Sequence, residues 1–302
     1  MNPRERASRG IALVAVLWMV AALSLLVVGV SSAVRADIRF AQQLRAEVQA
    51  AALGDAAIQM AIRDLGTRGD RPVQLEQAPY TFDGHEMQVV AQSAAGFVNL
   101  NNAPESLLQD LFVFGAGIDP GQAAILAARV ADWRDPDQAP LPLGAEDEAY
   151  VQAGSRFRTR SGPFEAPEDL LQVLGIEYPL YDKVQGFISA YGQSTGVDPL
   201  AASAPVLLIL AQGNRDAVQA IAAKRASGDP AIDTTRLILA HVEQGGGTVY
   251  RMEAQLVLSG RMWSRVRWVD TAQAGGAEGI PWRTLRVEPV RAMGNVGGVD
   301  GS

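Results

Sequence analysis

Six carboxylates crowd into seventeen residues of this chain: Asp132, Asp135, Asp137, Glu146, Asp147 and Glu148. Hard oxygen ligands on a loop suit Ca²⁺, which takes about six to eight of them. The spacing is not that of an EF-hand, because no Asp-x-Asp-x-Asp-Gly run with a closing Glu is present. The competing reading is a solvated acidic loop neutralised by Arg134, Arg156 and Arg158. Other chemistry is scarce. The two histidines, His85 and His241, have no neighbouring serine or carboxylate pattern that suggests a triad. There is no cysteine, so disulfides, thiolate zinc sites and thiol nucleophiles are excluded. No glycine-rich phosphate loop with a lysine and no metalloprotease helix occurs. The expectation is a non-enzyme.

The elements that must position the acidic loop are helical. Asn102 can cap a helix whose first turn holds Pro104 and Glu105. A second helix, Ala123 to Val130, follows Gly117-Ile118-Asp119-Pro120. The order proline, acid, leucines, Gly-Ile recurs from Ala166 to Ile176, with a helix expected from about Leu180 to Ala190. This duplication resembles the helix-hairpin-helix, which often binds DNA phosphates through amides at its glycine turn. Here an acid stands at each turn, Asp119 and Glu177. At about 5 Å a carboxylate costs a phosphate roughly 1 kcal/mol or more. With a net charge of −7, the hairpin shape is kept and the nucleic-acid role rejected. Trp133 and Phe164 read as core anchors of this helical region.

From Ile11 to Val34 no side chain is charged. These 24 residues make about 36 Å of helix, enough to cross a hydrocarbon core of about 30 Å. Arg4, Arg6 and Arg9 precede the run and predict a cytoplasmic N-terminus. A cleaved secretory signal has a shorter core, although Ser31-Ser32-Ala33 could pass for its cut site. Beyond the membrane, Ile38, Leu44, Val48, Ile58, Ile62 and Leu65 recur at helical spacing, which predicts one amphipathic helix over 11–66. A break near Gly29 to Ser32 is the alternative. Tyr80 to Phe82 and Met87 to Val90 flank Asp83-Gly84, a tight-turn pair. Phe97 to Leu100 is a third strand or the entry to the next domain. Thr248 to Leu258 and Met262 to Val269 alternate around Ser259-Gly260, and Trp282 to Val287 adds a strand. The fold class is α+β: a long N-terminal helix on an antiparallel sheet, residues 67–100 and 226–290. An all-α insertion, 101–225, carries the two helix-hairpin-helix-like units. Residues 291–302 are expected to be a flexible tail.

A basic leader ending at Gly10, with the apolar helix starting at the next residue, resembles a prepilin. Arg9 to Trp18 is similar to the start of the type II secretion pseudopilins. In most of them a glutamate stands where this chain has Ala15; its absence resembles the general secretion pathway protein K (GspK) family. Asp132-Trp133-Arg134-Asp135-Pro136-Asp137, then Gly144-Ala145-Glu146-Asp147 and Tyr150, match that family's signature. So do Arg160-Ser161-Gly162-Pro163-Phe164 and Glu168 to Val173, with Ser161 where an asparagine is common. The resemblance implies a pilin-like fold and cleavage between Gly10 and Ile11 by a prepilin peptidase. It implies a single-pass inner-membrane protein with a periplasmic domain, placed at the tip of a pseudopilus. Its partners would be the I- and J-type minor pseudopilins, met through the helix face Ile38 to Leu65, with the major pseudopilin below. It also favours Ca²⁺ at the acidic loop. A membrane-anchored helix-hairpin-helix DNA-binding protein and a type IV minor pilin remain the alternatives.

Overall fold

The computed structural model describes residues 3–67, 74–227, 231–272 and 282–295. The first helix, α1, runs unbroken over Pro3–Thr67. It therefore starts inside the expected leader rather than at residue 11, and it has no break near Gly29. Side chains at 11–13 and 27–34 of the expected span, and at Gly10, lie outside the described residues. Those from Val14 to Leu26 are all exposed. Among the described residues no helix is long and apolar enough to cross a membrane.

Five strands follow the order β1-β2-β5-β6-β7, with β8 also on β6. Strands β1 (Leu75–Phe82) and β2 (His85–Ser93) are joined at Asp83 and Gly84. Both have positive φ, 50° and 74°, the twist that a two-residue hairpin needs. Ser259 and Gly260 repeat this, at 54° and 73°, between β5 (Val249–Leu258) and β6 (Arg261–Asp270). Strand β7 (Arg283–Val287) pairs with the end of β6, and β8 (Arg291–Asn295) with its beginning. The expected flexible tail thus begins as a strand. Its glycine is the reason: Gly294, at φ 139°, sits where the register shifts between Met262 and Trp263. Residues 296–302 lie outside the described residues.

The lower part of α1 closes one face of the sheet. Ala50, Leu53, Ala57, Ile58, Ala61 and Ile62 pack on Met87, Val89, Met252, Ala254, Leu256 and Trp263. Each large apolar side chain so buried contributes about 1.5–3 kcal/mol. Gly54 makes the approach close, since a Cβ there would lie 2.6 Å from Arg265 Cβ. The same arginine then reaches Asp55, with Nε–Oδ1 at 2.7 Å, and Arg267 Nε reaches the same oxygen at 2.8 Å.

Adjacent strands β2 and β5 pair Ser93 with Tyr250, so everything from Ala94 to Thr248 is inserted between neighbours in the sheet. Phe97–Leu100 is the entry: β3 (Val98–Asn99) pairs in parallel with β4 (Ile188–Ser189), apart from the main sheet. Its helices are α2 (Glu105–Asp110), α3 (Pro120–Arg134), α4 (Asp147–Gln152), α5 (Tyr178–Val184), α6 (Ala204–Leu210) and α7 (Arg215–Ala226). Pro104, not Asn102, takes the cap position of α2, and the Asn102 amide turns to the Gly192 carbonyl, 3.4 Å away. The helix expected from Leu180 to Ala190 ends earlier, at Val184, and gives way to β4. Return to the sheet comes at Val249 rather than 226. The strap 231–248 packs on the helical core through Ile232, Leu237 and Val242. The insertion is seated on the open face of the sheet by Phe97 and Tyr191, with ring centroids 5.2 and 5.3 Å from Trp268, and by Arg286 gripping Glu168, 2.6 Å at Nη1–Oε2.

Candidate functional site

The last turn of α3 and the first residue before α4 bring three carboxylates together. One oxygen each of Asp132, Asp135 and Glu146 lies within 4.8 Å of the others. Asp132 projects inward beside Trp133, which stacks on Phe164 at 4.1 Å between centroids; both rings are buried, as a core anchor requires. Asp135 ends the helix. Gly144 in the connecting loop leaves the room, since a Cβ there would lie 1.7 Å from Asp132 Oδ2. Both Asp132 oxygens accept from the Leu141 amide at 3.2 Å.

Among the described residues no basic side chain is ion-paired with this cluster, and Arg134 acts on Asp135 only through space. Asp132 and Glu146 are 0% and 4% exposed. Both Glu146 oxygens and Asp135 Oδ1 are buried without a hydrogen-bond partner. Burial, and then the neighbouring carboxylates Asp132, Asp135 and Asp137, push the Glu146 carboxyl up to about 7. Burial likewise raises Asp132 and Asp135. The arginines of the solvated-loop reading point elsewhere. Arg134 Nη2 donates to the Ala103 carbonyl at 2.7 Å, Arg156 lies over the Phe157 ring at 4.9 Å, and Arg158 donates to the Phe157 carbonyl.

The other three acids of the sequence reading do not join. Asp137 accepts from the Ala139 amide at 2.8 Å. Asp147 accepts from the Thr159 amide and hydroxyl, each at 2.9 Å. Glu148 accepts from Gln152 one helical turn on, at 3.1 Å. Each is satisfied locally, so the candidate centre is three residues and not six.

The predicted partner face also divides. Ile38, Leu44 and Val48 are 51%, 46% and 70% exposed, whereas Ile58 and Ile62 are buried on the chain's own sheet and Leu65 packs at its edge. Packing on the sheet starts at Ala46 and full burial at Ala50, so those last three residues are spent inside the molecule. Phe40, which the sequence reading omitted, is exposed one helical turn before Leu44. Ala15 is exposed on α1.

At the first glycine turn, Asp119 Oδ1 accepts from the amides of Gly121 and Gln122 at 2.9 and 3.4 Å. The chain's own acid thus occupies the amides that a phosphate would need. The second unit is a 3₁₀ turn, Pro167–Gln172, followed by Gly175 at φ 90° and α5. His85 opens β2 after the turn. His241, by contrast, is buried with a serine and a carboxylate after all: Ser106 Oγ is 3.0 Å from Nε2 and Asp110 Oδ2 is 3.3 Å from Nδ1. Both partners lie on α2, more than a hundred residues earlier, where no local spacing could reveal them.

A family model described as type II secretion system (T2SS), protein K matches residues 85–193. That stretch holds β2, both glycine-turn units and the whole acidic loop. Type II secretion system protein K of Klebsiella pneumoniae is 32% identical over 79 residues, 26% of this chain and 24% of the relative. The protein of the same name from Pseudomonas aeruginosa is 27% identical over 229 residues, 67% of this chain and 68% of the relative. A chain of the crystal structure of the GspK–GspI–GspJ complex from the enterotoxigenic Escherichia coli type 2 secretion system shares the fold. Its TM-score is 0.57 at 15% identity, covering 84% of this chain and 98% of that one. With signature motif, helix-and-sheet frame and insertion all in one order, the chain is similar to the type II secretion system protein K family across the matched part of its length.

Proposed function

We propose that this protein is the tip subunit of a periplasmic pseudopilus, where it joins the I- and J-type minor pseudopilins and starts assembly in support of protein export. As a protein K it is a structural component and not an enzyme. The observation that carries the reading is the undocked stretch of α1, where Ile38, Phe40, Leu44 and Val48 are exposed. A helix that buries its lower half and leaves an apolar stripe above it is suited to lie against other helices. The insertion supports a terminal position, because so large a body on the sheet would clash within a fibre but not at its end. Ala15 supports it too. In a pilin-like fibre a glutamate there is thought to neutralise the N-terminal ammonium of a neighbour inside lipid, where an unpaired charge is costly. A subunit with none above it has no such charge to meet, and the major pseudopilin would stack below. The protein would be single-pass in the inner membrane, N-terminus in the cytoplasm, cut by a prepilin peptidase between Gly10 and Ile11. The two glycine-turn units act as helix-hairpin-helix-like scaffolding and not as a nucleic-acid site.

We further propose Ca²⁺ at Asp132, Asp135 and Glu146, with the remaining oxygens from carbonyls or water. The support is chemical: two buried carboxylate groups and one half-buried one converge, and a cation would offset the burial and repulsion that raise Glu146. The test of the tip reading is co-expression with I- and J-type partners and affinity capture of the detergent-solubilised full chain. Wild type should retain both partners. Leu44→Asp with Val48→Asp should lose them while its melting temperature stays within about 2 °C, since both side chains face outward. Equal capture by wild type and variant, or by neither, overturns it.

A further inference from the structure

His241 lies in the exit strap, in a 3₁₀ turn over Leu239–His241, and is 3% exposed. Its ring is the joint between the strap and α2. Ser106 and Asp110 are one helical turn apart and both face it, at the 3.0 and 3.3 Å already given. Around the ring the strap is zipped down. The His241 carbonyl accepts from the Val197 amide at 2.8 Å, and the Glu243 amide donates to the Val197 carbonyl at 3.1 Å. Glu243 spends its carboxylate on the Thr195 and Gly196 amides, at 2.7 and 2.9 Å. Gly196 allows the fit, since a Cβ there would come 2.8 Å from the His241 carbonyl. Below the ring the Ile238 amide donates to the Leu210 carbonyl at 3.0 Å, and Leu237 is buried in the helical core.

We propose that His241 is a pH-sensitive clasp, holding the exit strap against α2 with a neutral ring and loosening it when the ring gains a proton. The neutral ring is held by its hydrogen bond at Nε2, which can accept the Ser106 hydroxyl, while Nδ1 lies 3.3 Å from Asp110 Oδ2 without hydrogen-bond geometry. A protonated ring has two donors, forces the Ser106 hydroxyl to reverse, and places a cation where water is excluded. Asp110 is the charged group that faces it and favours the cation. Its carboxylate is shared with Gln212, whose Nε2 lies 3.3 Å from each oxygen. Burial outweighs Asp110 and holds the imidazole below its ordinary value. The unfolded chain therefore binds more protons, and the strap's stability falls as pH drops below about 6.5. This inference does not depend on the tip reading.

The test is hydrogen exchange on the full-length chain in detergent, corrected for intrinsic rates, from pH 7.5 to 5. Protection of 237–243 should fall about tenfold across that range, while β5 stays constant. His241→Gln should remove the dependence, because its amide cannot titrate. Asp110→Asn should move the midpoint to lower pH, because the only group favouring the cation loses its charge. Flat wild-type protection, or a midpoint that rises in Asp110→Asn, overturns the clasp. The order serine, histidine, carboxylate is also that of an acyl-transfer triad. Capture of Ser106 by a fluorophosphonate would assign the ring to that role and likewise overturn the proposal.

Discussion

Two groups of half-hidden acids in this molecule face the same penalty and meet it in opposite ways. Asp55 on α1 and Glu253 on β5 are answered from within the chain. Arg265 and Arg267 hold Asp55, and Arg251 lies 2.7 Å from Glu253. Burial alone would raise both carboxyls, yet these arginines hold them below the usual range. At Asp132, Asp135 and Glu146 burial and mutual repulsion outweigh the hydrogen bonds that oppose them, and Glu146 rises to about 7. The difference separates acids paired by the chain's own arginines from acids that are not. On the proposed reading, Ca²⁺ would supply the missing charge at the insertion's acidic corner.

Cation removal should separate the two groups most strongly. In detergent, saturating Ca²⁺ should raise the melting temperature over an EGTA control by about 5 °C, the size of a ligand held at about a hundred times its dissociation constant. The variant Asp132→Asn with Glu146→Gln should show no such rise. A wild type indifferent to Ca²⁺ would return the loop to ordinary surface chemistry.

Breaking the other group comes next in size. Asp55→Ala leaves two arginines facing each other under α1 and should cost about 2 kcal/mol, discounted for partial exposure. Denaturant unfolding should register that loss equally with and without Ca²⁺. Dependence of the loss on Ca²⁺ would mean that the two regions are coupled.

The smallest effect has opposite signs in the two places. Asp55 and Glu253 have depressed values when folded. Their stability is present above the unfolded pKa, near 4, and is lost as pH falls through the folded values. Glu146 is raised, so the folded metal-free chain binds more protons than the unfolded one between about 4.5 and 7, and its stability falls as pH rises through that window. With Ca²⁺ bound that second slope should vanish while the acid limb remains. A single slope of one sign across both windows in the EGTA-treated chain would erase the contrast.

Legibility in the sequence followed the range of the forces. Asp83-Gly84 and Ser259-Gly260 announced their hairpins because a two-residue turn is a local event. Six acids were visible as a group, but which three converge depends on the path of the loop past Gly144 and on local donors such as Thr159 and Gln152. The apolar ladder of α1 was plain, yet its division at Ala50 is set by where the sheet lies, which periodicity does not encode. The glycines past Arg291 read as looseness, and the first of them, Gly294, sits at a bulge in β8. His241 was opaque, since its partners come from α2, across the whole insertion.

The central claim is that this is a processed, membrane-held pseudopilin, and the direct measurement is N-terminal sequencing of the membrane-extracted chain, with and without a prepilin peptidase. The account predicts a mature protein beginning at Ile11 when the peptidase is present and an uncut leader when it is absent. A chain that begins near Val34, or one left uncut in both conditions, would contradict it.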